Sequence, residues 1–309
     1  MCYYFSGPDI LIFGGYGTSG YLSSVELVRT GGSNTSTCGA SIPDLPVGVY
    51  GHSTTVMNNG RILSCGGLTT SGFTDVCWSV TTTENIWTSA PALPGPRAGG
   101  DMVTVNGTIV WFGGYDGSSY TDTIYSLVGT WTQHKTKLQT AMHGHCVVSI
   151  PNENQAIITG GFDSTGYLTK TQKFILDSMA TTTTTLPEMK NKRAQHGCSL
   201  VTNNVVLQIL VAGGYGSGGI LSSSVERMTR RAGGDFSEWE YVGSLPAARY
   251  GFPMISLADK IFILGGYENV NYSESILTST DDGETWDQNL QLETARRYHT
   301  AVSTASICT

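Results

Sequence analysis

Ile10-Leu11-Ile12-Phe13-Gly14-Gly15-Tyr16 sets the pattern of the chain: four apolar residues, two glycines, one aromatic. The doublet returns at Gly66-Gly67, Gly113-Gly114, Gly160-Gly161, Gly213-Gly214 and Gly265-Gly266. The spacing stays at about 50 residues, and a period of that size marks a repeat architecture. Joining the two chain ends supplies a sixth interval of similar length, so six units account for residues 1–309 as one domain. A unit this small cannot bury a core alone and must stack on its neighbours.

Around each doublet the same segments recur. A Gly or His phrase opens an upstream strand, as in Tyr50-Gly51-His52-Ser53, His143-Gly144-His145-Cys146 and His196-Gly197-Cys198-Ser199. A turn follows, at Asn58-Asn59-Gly60, Asn106-Gly107 or Asn203-Asn204, built from residues that tolerate the positive φ of tight hairpins. The apolar run comes next, and a continuous run of four to six reads as a strand buried on both faces. After the doublet, a third strand is expected to begin at an aromatic or Leu and reach an apolar residue four positions on: Tyr21 to Val25, Phe73 to Cys77, Tyr120 to Ile124. The unit at Tyr167 departs from this, with Thr171 at the apolar position. A fourth strand carries Trp87, Trp131, Trp239 or Trp286, and Arg97, Arg193, Arg249 and Arg296 close their units. The first and fourth units have Asn34 to Cys38 and Thr181 to Thr185 in place of the Trp segment; the Thr run reads as an outer edge strand.

Composition agrees with an all-β chain. Charged residues are 13%, against roughly 25% in an average domain. Glycine is 39 of 309 residues, against an average of about 7%. Net charge is −7, which gives no support to a nucleic-acid partner. No apolar run approaches the roughly 20 residues needed to span a bilayer. Met1-Cys2-Tyr3-Tyr4-Phe5-Ser6 lacks the basic start and apolar stretch of a secretory signal, so the chain reads as mature or excised from a longer one. Low charge and abundant Ser and Thr favour an extracellular, secreted location, with the cytoplasm as the alternative.

Apolar run, Gly-Gly-aromatic, third strand, Trp and closing Arg together resemble the kelch repeat, over essentially the whole chain. The resemblance implies a six-bladed kelch-type β-propeller with four antiparallel strands per blade around a channel. Arg296 to Val302 matches a first strand with no second strand after it, and Ile10 to Gly15 a second strand with no first strand before it. Pairing of these terminal strands would close the ring and remove exposed edges. Cys2 and Cys308 flank that junction, so a Cys2–Cys308 disulfide clasp is one expectation. Ser279-Thr280-Asp281-Asp282-Gly283-Glu284-Thr285-Trp286 looks like the Asp-box hairpin of sialidase-type propellers, with Asp281 as a structural brace rather than a catalyst.

Seven cysteines leave at least one unpaired within the chain, and none forms a C-x-x-C pair. Cys65 and Cys77 sit on adjacent strands and read as core thiols, with a disulfide as the alternative. Cys146 and Cys198 lie on neighbouring first strands but out of register in this alignment, so pairing would need backbone adjustment. Glycosylation sequons stand at Asn34, Asn106 and Asn271, no more than composition predicts.

Five of the six histidines fall at first-strand starts, which in a propeller line the channel. Aligned on the glycine phrase, His52, His145 and His299 share one tier, a candidate metal site set against a structural hydrogen-bonding role. Tyr50, His143, His196, Tyr250 and Arg297 form the other tier, the candidate ligand site at one channel mouth. The reading that follows is a non-catalytic module, without cofactor, that recognises a protein or glycan. Kelch-type enzymes, such as sugar mutarotases and metal-dependent oxidases, are the alternative, with His143 as an acid–base group. A structural matrix component is the third. A phosphate-binding loop is excluded, because no helix or P-loop lysine follows the doublets.

Overall fold

A computed structural model describes residues 9–30, 42–81, 84, 86–177, 181–203 and 206–303. The fold is all-β, built from many small antiparallel sheets, with no α-helix among the described residues. Five four-stranded sheets contain the second to sixth doublet units, and each follows strand order along the chain or its reverse. The first unit is a three-stranded sheet in which Ile10–Phe13 lies between Val25–Val28 and Thr300–Ser303. Ile10 pairs with Ser303 and Phe13 with Thr300, so the two ends of the chain share one sheet.

The apolar runs become second strands, and their two faces enter different seams. Ile10 and Ile12 pack with Phe262, Leu264 and Ile276 of the sixth unit. Leu11 and Phe13 pack with Ile62, Val80 and Trp87 of the second. Six apolar clusters recur in this way, one at each junction between successive units, and the last joins the sixth unit to the first. Burying an Ile or Phe is worth about 1.5–3 kcal/mol, so the seams dominate the cohesion of units that have no core of their own.

The doublets stitch these seams. The amide of the second glycine donates to a carbonyl of the following unit: Gly15 to Val49, Gly67 to Arg97, Gly114 to Met142, Gly161 to Arg193, Gly214 to Arg249 and Gly266 to Arg296, at 2.6–2.9 Å. Gly15 shows why glycine is needed, since at φ 103° an added Cβ would lie 2.8 Å from the His299 Cβ.

The outer Trp residues work across the same seams. Trp87, Trp131 and Trp239 donate through Nε1 to the carbonyls of Pro43, Pro91 and Pro187 in the preceding unit. Trp239 also reaches the Thr171 hydroxyl at 3.1 Å, which accounts for the polar residue at that apolar position. The Thr run forms strand Thr182–Leu186, paired with Thr171–Ile175. In the last unit the Asp281 carboxylate accepts from Ser279 Oγ and the Thr285 amide, so the turn before Trp286 is braced internally.

Two expectations about the cysteines give way. Cys65 and Cys77 face each other across paired strands and are disulfide-bonded rather than free core thiols. Cys146 and Cys198 also form a disulfide, with Cα atoms 5.9 Å apart, linking the first strands of the fourth and fifth units. Two disulfides accord with an oxidising compartment. Cys2, Cys308 and Asn34 lie outside the described residues. Asn106 and Asn271 are exposed, Asn106 at a hairpin tip with φ 43°.

Candidate functional site

Six strand-opening residues adopt left-handed backbone: Gly51, Gly99, Gly144, Gln195, Gly251 and Tyr298, with φ between 54° and 68°. Their peptides form a closed cycle. Gly51 donates to Tyr298, Tyr298 to Gly251, Gly251 to Gln195, Gln195 to Gly144, Gly144 to Gly99, and Gly99 back to Gly51, at 2.6–2.9 Å. The first strands beyond this ring also neighbour one another in a closed circuit. They line a cavity of about 750 Å³.

This ring corrects the alignment of one histidine. Gln195, not Gly197, is the counterpart of Gly144. His196 therefore belongs with His52, His145 and His299, one step inside the ring, and not at the mouth with Tyr50 and His143. The same shift moves Cys198 from one register before Cys146 to one register after it, and the two are disulfide-bonded.

The four inner histidines do not converge. Each ring is buried against an adjacent unit. A Cβ placed on Gly14, Gly113 or Gly160 would lie within 3.0 Å of the Cε1 of His52, His145 or His196. His52 Nε2 meets the Thr300 hydroxyl at 3.0 Å, and His196 Nε2 meets Thr159 at 2.9 Å. Burial holds His52 and His145 down at about 4, against an ordinary 6.5, and holds His196 and His299 well below their usual range. All four are neutral wedges. Among the described residues no group of three or more His, Cys, Asp or Glu is placed to hold a metal ion, which counts against the metal reading of His52, His145 and His299.

Outside the ring lies the mouth, and it is aromatic. By pattern alone the third strand begins at the aromatic or Leu that follows the doublet, as at Tyr21. Instead, that aromatic residue closes a short hairpin, as in Tyr16 opposite Tyr21 and Phe162 opposite Tyr167. The third strand starts only at the apolar residue, as at Val25. These hairpins pair back onto the strand starts, bringing Arg297 to Tyr16, Tyr50 to Leu68, His143 to Phe162 and Tyr250 to Tyr267.

The rings then touch in series. From Phe73 the arc runs through Tyr115, Tyr120, Phe162, Tyr167, Tyr215, Tyr250, Tyr267, Tyr272 and Tyr16 to Tyr50, with centroids 4.3 to 6.3 Å apart. His143 stacks on Tyr120 at an interplanar angle of 3°, and burial lowers its pKa, so it too is neutral at pH 7. Tyr298 stacks on Tyr50, packs edge-on against Tyr250 and donates to Gln195 Oε1 at 2.9 Å.

Of the five expected mouth residues, Tyr50, Tyr250 and Arg297 meet in one cluster. His143 stands on the opposite side of the arc, and His196 is inside. Tyr250 is itself buried, its phenol accepting from Arg297. Most of the arc was missed in the sequence, although the signal was present. An aromatic after the doublet and another about five positions later recur in most units, but by pattern alone the first closes the repeat phrase and the second opens the third strand.

No protein-family model matches the chain, and no curated protein matches it at a significant level. Among solved structures it is similar to YjhT, at 16% identity and a TM-score of 0.69, over 83% of this chain and 88% of that one. At that identity the likeness concerns the fold alone.

Proposed function

We propose that the chain is a secreted, kelch-type β-propeller of six blades whose aromatic mouth binds a protein or glycan ligand without catalysing a reaction. The closed peptide cycle and the six inter-unit seams support the propeller, and the disulfides support secretion. The observation that carries the binding reading is the arc of half-buried tyrosines around the entrance to the cavity. Tyrosine combines a rigid apolar face with a hydroxyl, and it is enriched where proteins bind partners. His143, the acid–base candidate of the enzymatic alternative, has rings as its neighbours and serves here as part of the contact surface.

The test is a glycan array combined with a pull-down from native fluid, followed by titration of each partner found. Tyr50→Ala and Tyr272→Ala are expected to weaken binding at least tenfold at unchanged melting temperature. Unchanged affinity in both variants would overturn the assignment of the mouth.

A further inference from the structure

Five arginines cluster at the unit starts, and four of them are engaged. Arg193 donates to the Gly213 carbonyl at 2.7 Å and to Glu226 at 2.6 Å. Arg249 reaches the Gly265 carbonyl and Glu268, and Arg296 reaches the Gly14 carbonyl and Glu26. Arg97 lies between Tyr125 and Asp116. Each of these guanidinium groups is buried.

Arg297 is different. It lines the cavity mouth, half-buried, and among the described residues it forms no ion pair. Its guanidinium carbon lies 4.9 to 5.5 Å from the ring centroids of Tyr250, Tyr267, Tyr272 and Tyr298. One Nη donates to the Tyr250 hydroxyl, while the buried Nε has no partner. The rings hold the group in place by cation–π attraction but do not neutralise it. The nearby phenols supply no counter-charge either, since burial raises the pKa of Tyr50, Tyr250 and Tyr298 and keeps them protonated. The chain carries a net charge of −7, so carboxylates to pair with Arg297 are not in short supply.

We infer that the ligand at this mouth carries one anionic group, a carboxylate or sulfate ester, on a sugar ring, and that Arg297 anchors it. The inference rests on the binding reading above and narrows it. A guanidinium is always charged, weakly hydrated and shaped for two-point contact with a planar or tetrahedral anion. Partial burial makes that pairing stronger than it would be in water. Among the described residues Arg297 is the one Arg or Lys lining the cavity, which provides one anionic subsite, too few for a peptide with a run of acidic side chains. The surrounding half-buried phenols of Tyr16, Tyr50 and Tyr272 present flat faces and hydroxyls, which match the CH face and hydroxyls of a sugar.

The test titrates the purified chain by NMR with glucuronate, glucose 6-sulfate, glucose and a hexaglutamate peptide, at about 50 and about 500 mM salt. At least one acidic sugar is expected to bind tenfold or more tighter than glucose, and the advantage shrinks at the higher salt. Whichever acidic sugar holds the advantage distinguishes carboxylate from sulfate. Arg297→Gln removes the advantage, so that the variant binds acidic sugars and glucose within about twofold of one another, while Arg297→Lys restores part of it. Equal binding of glucose and both acidic sugars overturns the anionic subsite but leaves a sugar-binding mouth standing. Binding of hexaglutamate alone, or of none of the probes, overturns the ligand class. The broader reading fails separately, through Tyr50→Ala and Tyr272→Ala with the partners found by the array and pull-down.

Discussion

Arg296 donates through Nη1 to the carbonyl of Gly14 at 2.9 Å, across 282 residues of chain. The same guanidinium reaches Ser24 and the buried Glu26, whose other carboxylate oxygen accepts from the Glu293 amide. The ends of the chain are thus held by strand pairing, an apolar seam and a buried ion pair together. Arg193 and Arg249 repeat the arrangement at Gly213 and Gly265. In the third unit Trp111 Nε1 binds the corresponding Gly113 carbonyl instead.

Removing Arg296 leaves Glu26 buried without its cation. Arg296→Ala is expected to lower unfolding free energy by about 3–5 kcal/mol, measured by urea denaturation. The paired variant Arg296→Met, Glu26→Leu removes both charges and recovers a large part of that loss. A double variant as unstable as the single one would mean that the carbonyl bonds to Gly14 and Ser24 matter more than the charge pair.

Glycine replacements separate crowding from backbone strain. Gly15→Ala puts a Cβ 2.8 Å from His299 Cβ and 2.9 Å from the Arg297 carbonyl, while Gly20, at φ 96°, has open space around it. Gly20→Ala is expected to cost about 1 kcal/mol, from conformation alone. Gly15→Ala should cost several times more and lower the yield of folded protein. Similar thermal stabilities for the two variants would contradict the stitching role of the doublet.

The inner histidines make the fold acid-sensitive. Burial keeps His52 and His145 down at about 4, whereas an unfolded chain takes up their protons near 6.5. The unfolded state therefore binds more protons between those values, and stability falls as pH drops through that window. Each group contributes about 3 kcal/mol, with His196 and His299 acting in the same direction. Glu26 and Asp101, whose carboxyl pKa values burial raises, act in the opposite direction from those raised values down to the ordinary carboxylate range. Melting temperature measured from pH 7 to pH 4.5 should fall steeply, and a level profile would rule out buried neutral imidazoles.

The disulfides differ in reach. Cys146–Cys198 spans 52 residues and joins two units, whereas Cys65–Cys77 spans 12 within one sheet. Loop-closure entropy assigns them about 4 and about 3 kcal/mol respectively. Cys146→Ser with Cys198→Ser should therefore destabilise the chain more than Cys65→Ser with Cys77→Ser, as read by denaturant midpoint.

Periodicity alone determined that the chain is all-β in six units, that each apolar run is a strand buried on both faces, and that the terminal strands pair. These follow from local pattern, because a Gly-Gly doublet after four apolar residues carries the same steric meaning in every copy. The tertiary structure decided what local pattern cannot encode. The left-handed position at the fifth strand start is held by Gln195, so an alignment anchored on glycine misplaced His196 and Cys198. The aromatics flanking each doublet are separate residues in sequence, and only the hairpins and the closed peptide ring bring them into one arc. Arg297 sits beside Arg296 in the chain, yet one guanidinium is buried on Glu26 and the other is held uncompensated among four phenol rings. That difference arises because the Arg297 backbone bridges to Tyr16 at the mouth, while the Arg296 side chain turns to Gly14 and Glu26.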